Sequence, residues 1–230
     1  MNSILSNCLA IIALAFMTGC VQENTMTNNR NERFESRNKL VASYPDVVRW
    51  EGSYLACRVT DQESLEIFKM NNHLISRLWL DLSQVNVPEE LKDSSCHTLT
   101  LYYKGEPKII DSQLDKLPVD TLISLRMARD LRVSETGFQH VLKCKELRKI
   151  SFRVTDVDSL FERIVEALPY VHSLQTNIPF SSADIPTFEK SKSLAEVLVS
   201  GSQLEWRSEN YDTLVREYQQ RISDGLLDFK

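Results

Sequence analysis

Leu147-Arg148-Lys149-Ile150-Ser151-Phe152 sets apolar side chains at its first, fourth and sixth positions, and the chain repeats that spacing. It recurs at Tyr54/Cys57/Val59, Ile75/Leu78/Leu80, Cys96/Leu99/Leu101, Leu122/Leu125/Met127, Val171/Leu174/Thr176 and Leu194/Val197/Val199. Successive first positions are 21, 21, 26, 25, 24 and 23 residues apart. Self-similarity at a period of about 20–29 residues is the mark of a stacked array. Within each stretch, positions four and six share one face of a strand, while five and seven point the other way.

Working outward, each stretch is followed by a turn and often by a helical piece. Phe138, Val141 and Leu142 have helical spacing, with Thr136 just before them. Leu160, Ile164, Val165 and Leu168 form a second stripe, which Asp158 or Ser159 is placed to cap and Pro169 to stop. Ile185 and Phe188 carry a further return segment. Tyr211, Leu214, Val215, Tyr218 and Ile222 predict a final helix that closes the C-terminal end before Gly225. Leu40 to Trp50 precedes the first stretch, and Val47, Val48 and Trp50 are suited to cover the apolar face that any stacked array leaves at its end.

Over about residues 50 to 204 the chain resembles the leucine-rich-repeat family. The resemblance implies an α/β fold: a short, irregular solenoid with a parallel sheet on a concave face and helices or return segments on the convex face. The family pattern asks for Asn or Cys a few residues after the third apolar position, to bond the turn backbone. Gln62, Ser83, Lys104, Asp130, Thr155, Pro179 and Ser202 stand there instead, so the turn backbone must find other partners. An ordinary α/β domain with a mainly parallel sheet gives the same alternation.

The N-terminus carries a different signal. Leu9 to Met17 is an apolar run too short to span a bilayer but suited to an export signal. Thr18-Gly19-Cys20 follows at once. This resembles the lipobox of bacterial lipoproteins, which implies cleavage before Cys20 and a lipid on its thiol. Val21 after the cysteine, where the family often uses Asp for inner-membrane retention, implies the outer membrane of the cell envelope. The other reading is a buried N-terminal helix ending at Gly19. Val21 to Asn38 is polar and without periodicity, which predicts a solvated tether. The expected organisation is a signal peptide over 1–19, a tether over 20–38 and a repeat domain with both caps over 39–230.

A net charge of -5 gives no support to a nucleic-acid role, where a basic excess is expected. Once Cys20 is acylated, Cys57, Cys96 and Cys144 remain, an odd number. Cys57 and Cys96 fall two strands apart, too far to bridge, so all three are expected as buried thiols. His73, His97, His140 and His172 show no metal-ligand spacing, so neither metal nor cofactor is expected. The acidic pairs Glu89/Glu90 and Asp156/Asp158 fit turns and helix starts.

The informative residues are those turned away from the core. The fifth positions are Arg58, Trp79, Thr100, Arg126, Ser151, Gln175 and Leu198. The seventh are Thr60, Asp81, Tyr102, Ala128, Arg153, Asn177 and Ser200. Trp, Tyr and Arg are enriched at binding hot spots, and here they fall on adjacent strands. Arg58, Trp79, Asp81, Tyr102, Arg126 and Arg153 are therefore the candidate partner-binding residues; the bland alternative is a solvated sheet face. The expectation is a membrane-anchored, non-enzymatic module that binds a protein or peptide with an acidic surface. The competing expectations are an envelope hydrolase acting on cell-wall or glycan material and a purely structural lipoprotein.

Overall fold

The computed structural model describes residues 31–223. The signal segment, Cys20 and the first part of the tether lie outside the described residues, as do the side chains of Tyr218 and Ile222. The chain divides between Asp46 and Val47. The unit that holds the sheet begins at Val47. Before it, residues 31–43 form helix α1. This corrects the tether reading for 31–38: Arg, Glu, Lys and Leu are good helix formers even without an apolar stripe, and Ser36 Oγ donates to the Glu32 carbonyl at 2.8 Å.

The second unit is mixed α/β, built on a mostly parallel nine-stranded sheet. Its elements in chain order are β1 Val48–Glu51, β2 Tyr54–Val59, α2 Gln62–Asn71, β3 Arg77–Asp81, β4 Thr98–Tyr102, β5 Lys108–Ile109, α3 Asp111–Leu114, β6 Ser124–Met127, β7 Leu131–Arg132, α4 Glu135–Val141, β8 Lys149–Ser151, α5 Leu160–Ala167, β9 Ser173–Thr176, α6 Ile185–Lys190, β10 Glu196–Val199, β11 Glu205–Arg207 and α7 Tyr211–Ser223. The large sheet runs β1-β2-β3-β4-β6-β8-β9-β10-β11, parallel from β2 to β10. The two end strands are antiparallel to their neighbours. They carry related sequences, Arg49-Trp50-Glu51 and Glu205-Trp206-Arg207, and in each the Arg and Glu pair with one another.

Register is continuous across the parallel strands. Cys57, Leu78, Leu99, Leu125, Ile150, Leu174 and Val197 form one row, and none is more than 1% exposed. Each such burial contributes about 1.5–3 kcal/mol relative to exposure, so this row is a large part of the driving force. The first and sixth positions add further rows to the same core, from Ile75 to Leu194 and from Val59 to Val199. Helix α4 packs on it through Phe138, whose ring stacks on Phe152 at 6.1 Å. Phe161, Phe180, Phe188 and Trp206 continue an aromatic chain toward the last strand, with ring centroids 5.1–6.4 Å apart.

The turns depart from the sequence expectation in detail. Helix α2 is held by a capping box: Asp61 Oδ1 accepts from Ser64 N at 2.8 Å, and Ser64 Oγ accepts from Asp61 N at 3.2 Å. Helix α4 starts at Glu135, with Ser134 before it and Thr136 inside it. Ser159 stands at the N-cap of α5, but in a left-handed conformation without a side-chain cap bond; its carbonyl accepts from Arg163 N. A second, two-stranded ladder, β5 with β7, is extended by a parallel bridge between Val133 and Val154.

The turn backbone does find side-chain partners, at two of the positions the family pattern names, where Ser83 Oγ accepts from Lys104 N at 3.3 Å and Ser202 Oγ from Leu204 N at 3.0 Å, and elsewhere as well. Asp81 Oδ1 accepts from Ser83 N, and Asp111 Oδ1 from Ser134 N, both at 2.9 Å. Asn177 reaches back to Val154, accepting from its N–H at 2.8 Å and donating to its carbonyl at 3.1 Å. Asn177 is thus committed to the turn backbone rather than to the outward face.

Candidate binding groove

Strand alternation fixes the outward face. The fifth positions form a second continuous row, Arg58, Trp79, Thr100, Arg126, Ser151, Gln175 and Leu198, and none of these is buried. Two hollows lie over it. The larger, about 780 Å³, spans the ends of β4, β6 and β8 and reaches Gln175 and Gly201. The smaller, about 310 Å³, lies over β1, β2 and β3. Trp79 and Tyr102 line both, so the two hollows adjoin along one face of the sheet, hereafter the groove.

All six residues expected from the sequence line this groove. Arg126 and Arg153 face the larger hollow, Arg58 and Asp81 the smaller, and Trp79 and Tyr102 stand between. Tyr102 is 52% exposed. Trp79 is only half-buried rather than open, and the Arg49 guanidinium lies 5.9 Å from its ring centroid. That contact is a cation–π pair that covers one side of the indole.

The groove is basic although the chain is acidic. Around the larger hollow, Lys104, Arg126, Arg129 and Arg153 face the single carboxylate Asp130. Around the smaller, Arg49 and Arg58 face Asp81. Among the described residues, Arg58, Lys104, Arg126, Arg129 and Arg153 make no ion pair within 4 Å. Arg153 is half-buried; burial and the neighbouring Arg132 and Arg129 charges lower its pKa, while Asp130 opposes them. Such a cluster is poised to gain from an arriving anion, because guanidinium forks match carboxylates bidentately. On the far wall, Ser151 Oγ donates to Gln175 Oε1 at 2.9 Å, which engages the amide oxygen and not the amide N–H groups of this lining residue.

Arg49, Tyr103, Lys104 and Arg129 were not among the sequence candidates. Arg49 sits on the antiparallel end strand, outside the repeat count, and the other three lie in turns just past the strand ends. The usable signal was the basic residue two or three places beyond a third apolar position, as at Lys104 and Arg129.

Cys57, Cys96 and Cys144 are free and buried, and burial pushes each thiol up to about 12. No group of three or more His, Cys, Asp or Glu suited to a metal ion occurs among the described residues. No helix among them is long and apolar enough to cross a membrane. No family model, curated protein or solved structure matches this chain.

Proposed function

We propose that this protein is a non-enzymatic binding module, lipid-anchored through Cys20 in the bacterial envelope at the outer membrane. Its sheet unit is a short, divergent leucine-rich-repeat-like solenoid, and the groove grips a protein or peptide partner with an acidic surface. The repeat reading is supported by the in-register apolar row at 21 to 26 residues per step. The binding reading is carried by one observation: unpaired cations and two aromatic side chains concentrate on one face of a chain whose net charge is -5. Opposite charge across an interface speeds association and excludes wrong partners. Trp79 and Tyr102 supply contact area of the type that dominates binding energies.

The binding reading is tested by affinity capture from solubilised envelope with wild-type protein and with Trp79→Ala. A partner retained by wild type and lost with the variant, and released progressively by salt, is the expected result. Equal retention by both proteins removes the groove from the function. The anchor is tested separately by labelled palmitate, which is expected to enter wild type and not Cys20→Ser.

A further inference from the structure

The groove is longer than a compact ligand and its charge is uneven along its length. We propose that it takes an extended acidic peptide segment lying across the strands, with two carboxylates over β6 and β8 and an apolar or aromatic side chain two or three residues away against Trp79 and Tyr102. This deepens the binding reading and rests on it.

The length argument comes from the lining. It runs from Arg58 on β2 to Ser200 beside β10, six strand-to-strand steps, or about 29 Å at roughly 4.8 Å per step. An extended segment of about nine residues covers that span at roughly 3.3 Å per residue.

The charge argument fixes the direction. The larger hollow has an excess of three cations over carboxylates; in the smaller, Arg49 is paired with Glu51, which leaves Arg58 against Asp81. Two carboxylates offset most of the larger excess, and half-buried Arg153, crowded by like charges, gains most from them. The apolar wall lies one or two strands away, since Tyr102 ends β4 and β6 and β8 follow it in the sheet. That distance, about 5–10 Å, is two or three residues of extended chain.

The surroundings favour a peptide. The Gln175 amide donors suit a backbone carbonyl. Arg49 already covers one side of Trp79, which leaves the indole better suited to a side chain packed beside it than to a ring sandwiched on it. A neutral glycan leaves the cations unmatched, and a long nucleic acid meets repulsion from an acidic chain beyond the groove.

The test is selection of a displayed library of random nonapeptides on the full-length protein. Enriched sequences are expected to carry an Asp/Glu pair two or three residues from an aromatic or large apolar residue. Peptides so selected are then measured by fluorescence anisotropy. Trp79→Ala or Tyr102→Ala is expected to weaken them at least tenfold and to abolish the preference for the aromatic residue. Arg153→Gln is expected to abolish the preference for Glu-Glu over Gln-Gln. Circular dichroism monitors the fold, and Tyr102, being exposed, keeps the aromatic arm informative if Trp79→Ala unfolds. Acidic peptides that bind without regard to an aromatic residue overturn the inference while leaving an acid-binding face. Dextran sulfate that binds at the groove when no peptide is enriched overturns the peptide class. No enrichment and no dextran sulfate binding overturn both the inference and the binding reading.

Discussion

Asn177 is the side chain whose removal tests most directly how the turns are held. The bridge between Val133 and Val154 uses the carbonyl of Arg153 and the N–H of Thr155, so the N–H and carbonyl of Val154 itself point away from it. The Asn177 amide takes both, at 2.8 and 3.1 Å, standing in for a further strand. Val154 is 1% exposed, so in Asn177→Ala a buried donor and a buried acceptor are left unmet. Each unmet group costs about 1–3 kcal/mol; with Asn177 only half-buried and water able to enter from its side, the lower half applies, about 2–4 kcal/mol together. With a urea dependence of about 2 kcal/mol per molar, the unfolding midpoint is expected to fall by about 1–2 M. Hydrogen exchange supplies the local readout: the Val154 amide is expected to lose protection ahead of the Leu174 amide in the central sheet. Asn177→Asp retains an acceptor for the N–H but sets a carboxylate against the Val154 carbonyl. It is expected to be as destabilising at neutral pH and to recover partly when acid restores a donor. A midpoint that stays within about 0.2 M of wild type, with Val154 exchange unchanged, would falsify the reasoning.

Gly137 faces the Asp111 carboxylate that bonds Ser134 N and Oγ, and a Cβ there meets Asp111 Oδ1 and, at 3.0 Å, Val133 Cγ1. Gly137→Ala is expected to cost about 1–3 kcal/mol in denaturant unfolding, and an unchanged midpoint disproves the contact. The Arg163 guanidinium, bound to both Glu135 oxygens at 2.7 Å, and secondly the Gln139 amide, which donates to Glu135 Oε1, lower the Glu135 carboxyl to about 2. Because the folded value lies below the ordinary one near 4.5, this contribution is complete above that range and disappears as the pH falls toward 2. Arg163→Met should therefore flatten the loss of stability between those values, and an identical acid-unfolding profile refutes the pairing. Cys57, Cys96 and Cys144, with thiols near 12, are expected to resist alkylation at neutral pH until the protein unfolds, as read by mass-spectrometric mapping. Rapid labelling of any of the three in the native state contradicts their burial.

What was legible in the sequence was whatever alternates. The row from Cys57 to Val197 declares itself because burial on one side of a strand forces a period of two, and the neighbouring outward row follows from the same rule. Trp79, Tyr102 and the three expected arginines could therefore be placed on one face from residue numbers alone. Elements too short to show a period were invisible. Strands β5 and β7 have two residues each, and their pairing depends on turns brought together by the large sheet. Helix α2 was missed because Leu65, Ile67 and Phe68 mark a clear face only once Asp61 and Ser64 are recognised as its cap. Asn177 followed the alternation on paper, yet its amide turned to a backbone that no other group reaches. Lys104 and Arg129 belong to the groove because turns carry them there, where strand parity no longer applies.

The reversed strands at the two ends of the sheet bear on how this molecule behaves among its own copies. A parallel ladder is in principle a polymer, since each rung exposes the template for the next. Here the direction of the backbone inverts at β1 and again at β11, so the parallel order of the inner strands is not what either edge presents to another copy. Each outer strand also sets opposite charges two residues apart along its edge, a pattern that disfavours a flat, apolar meeting of two molecules. Lengthening the sheet by inserting a further parallel strand and its connection would leave both reversed end strands intact, so a wider sheet of this kind need be no more prone to fibre formation than this one.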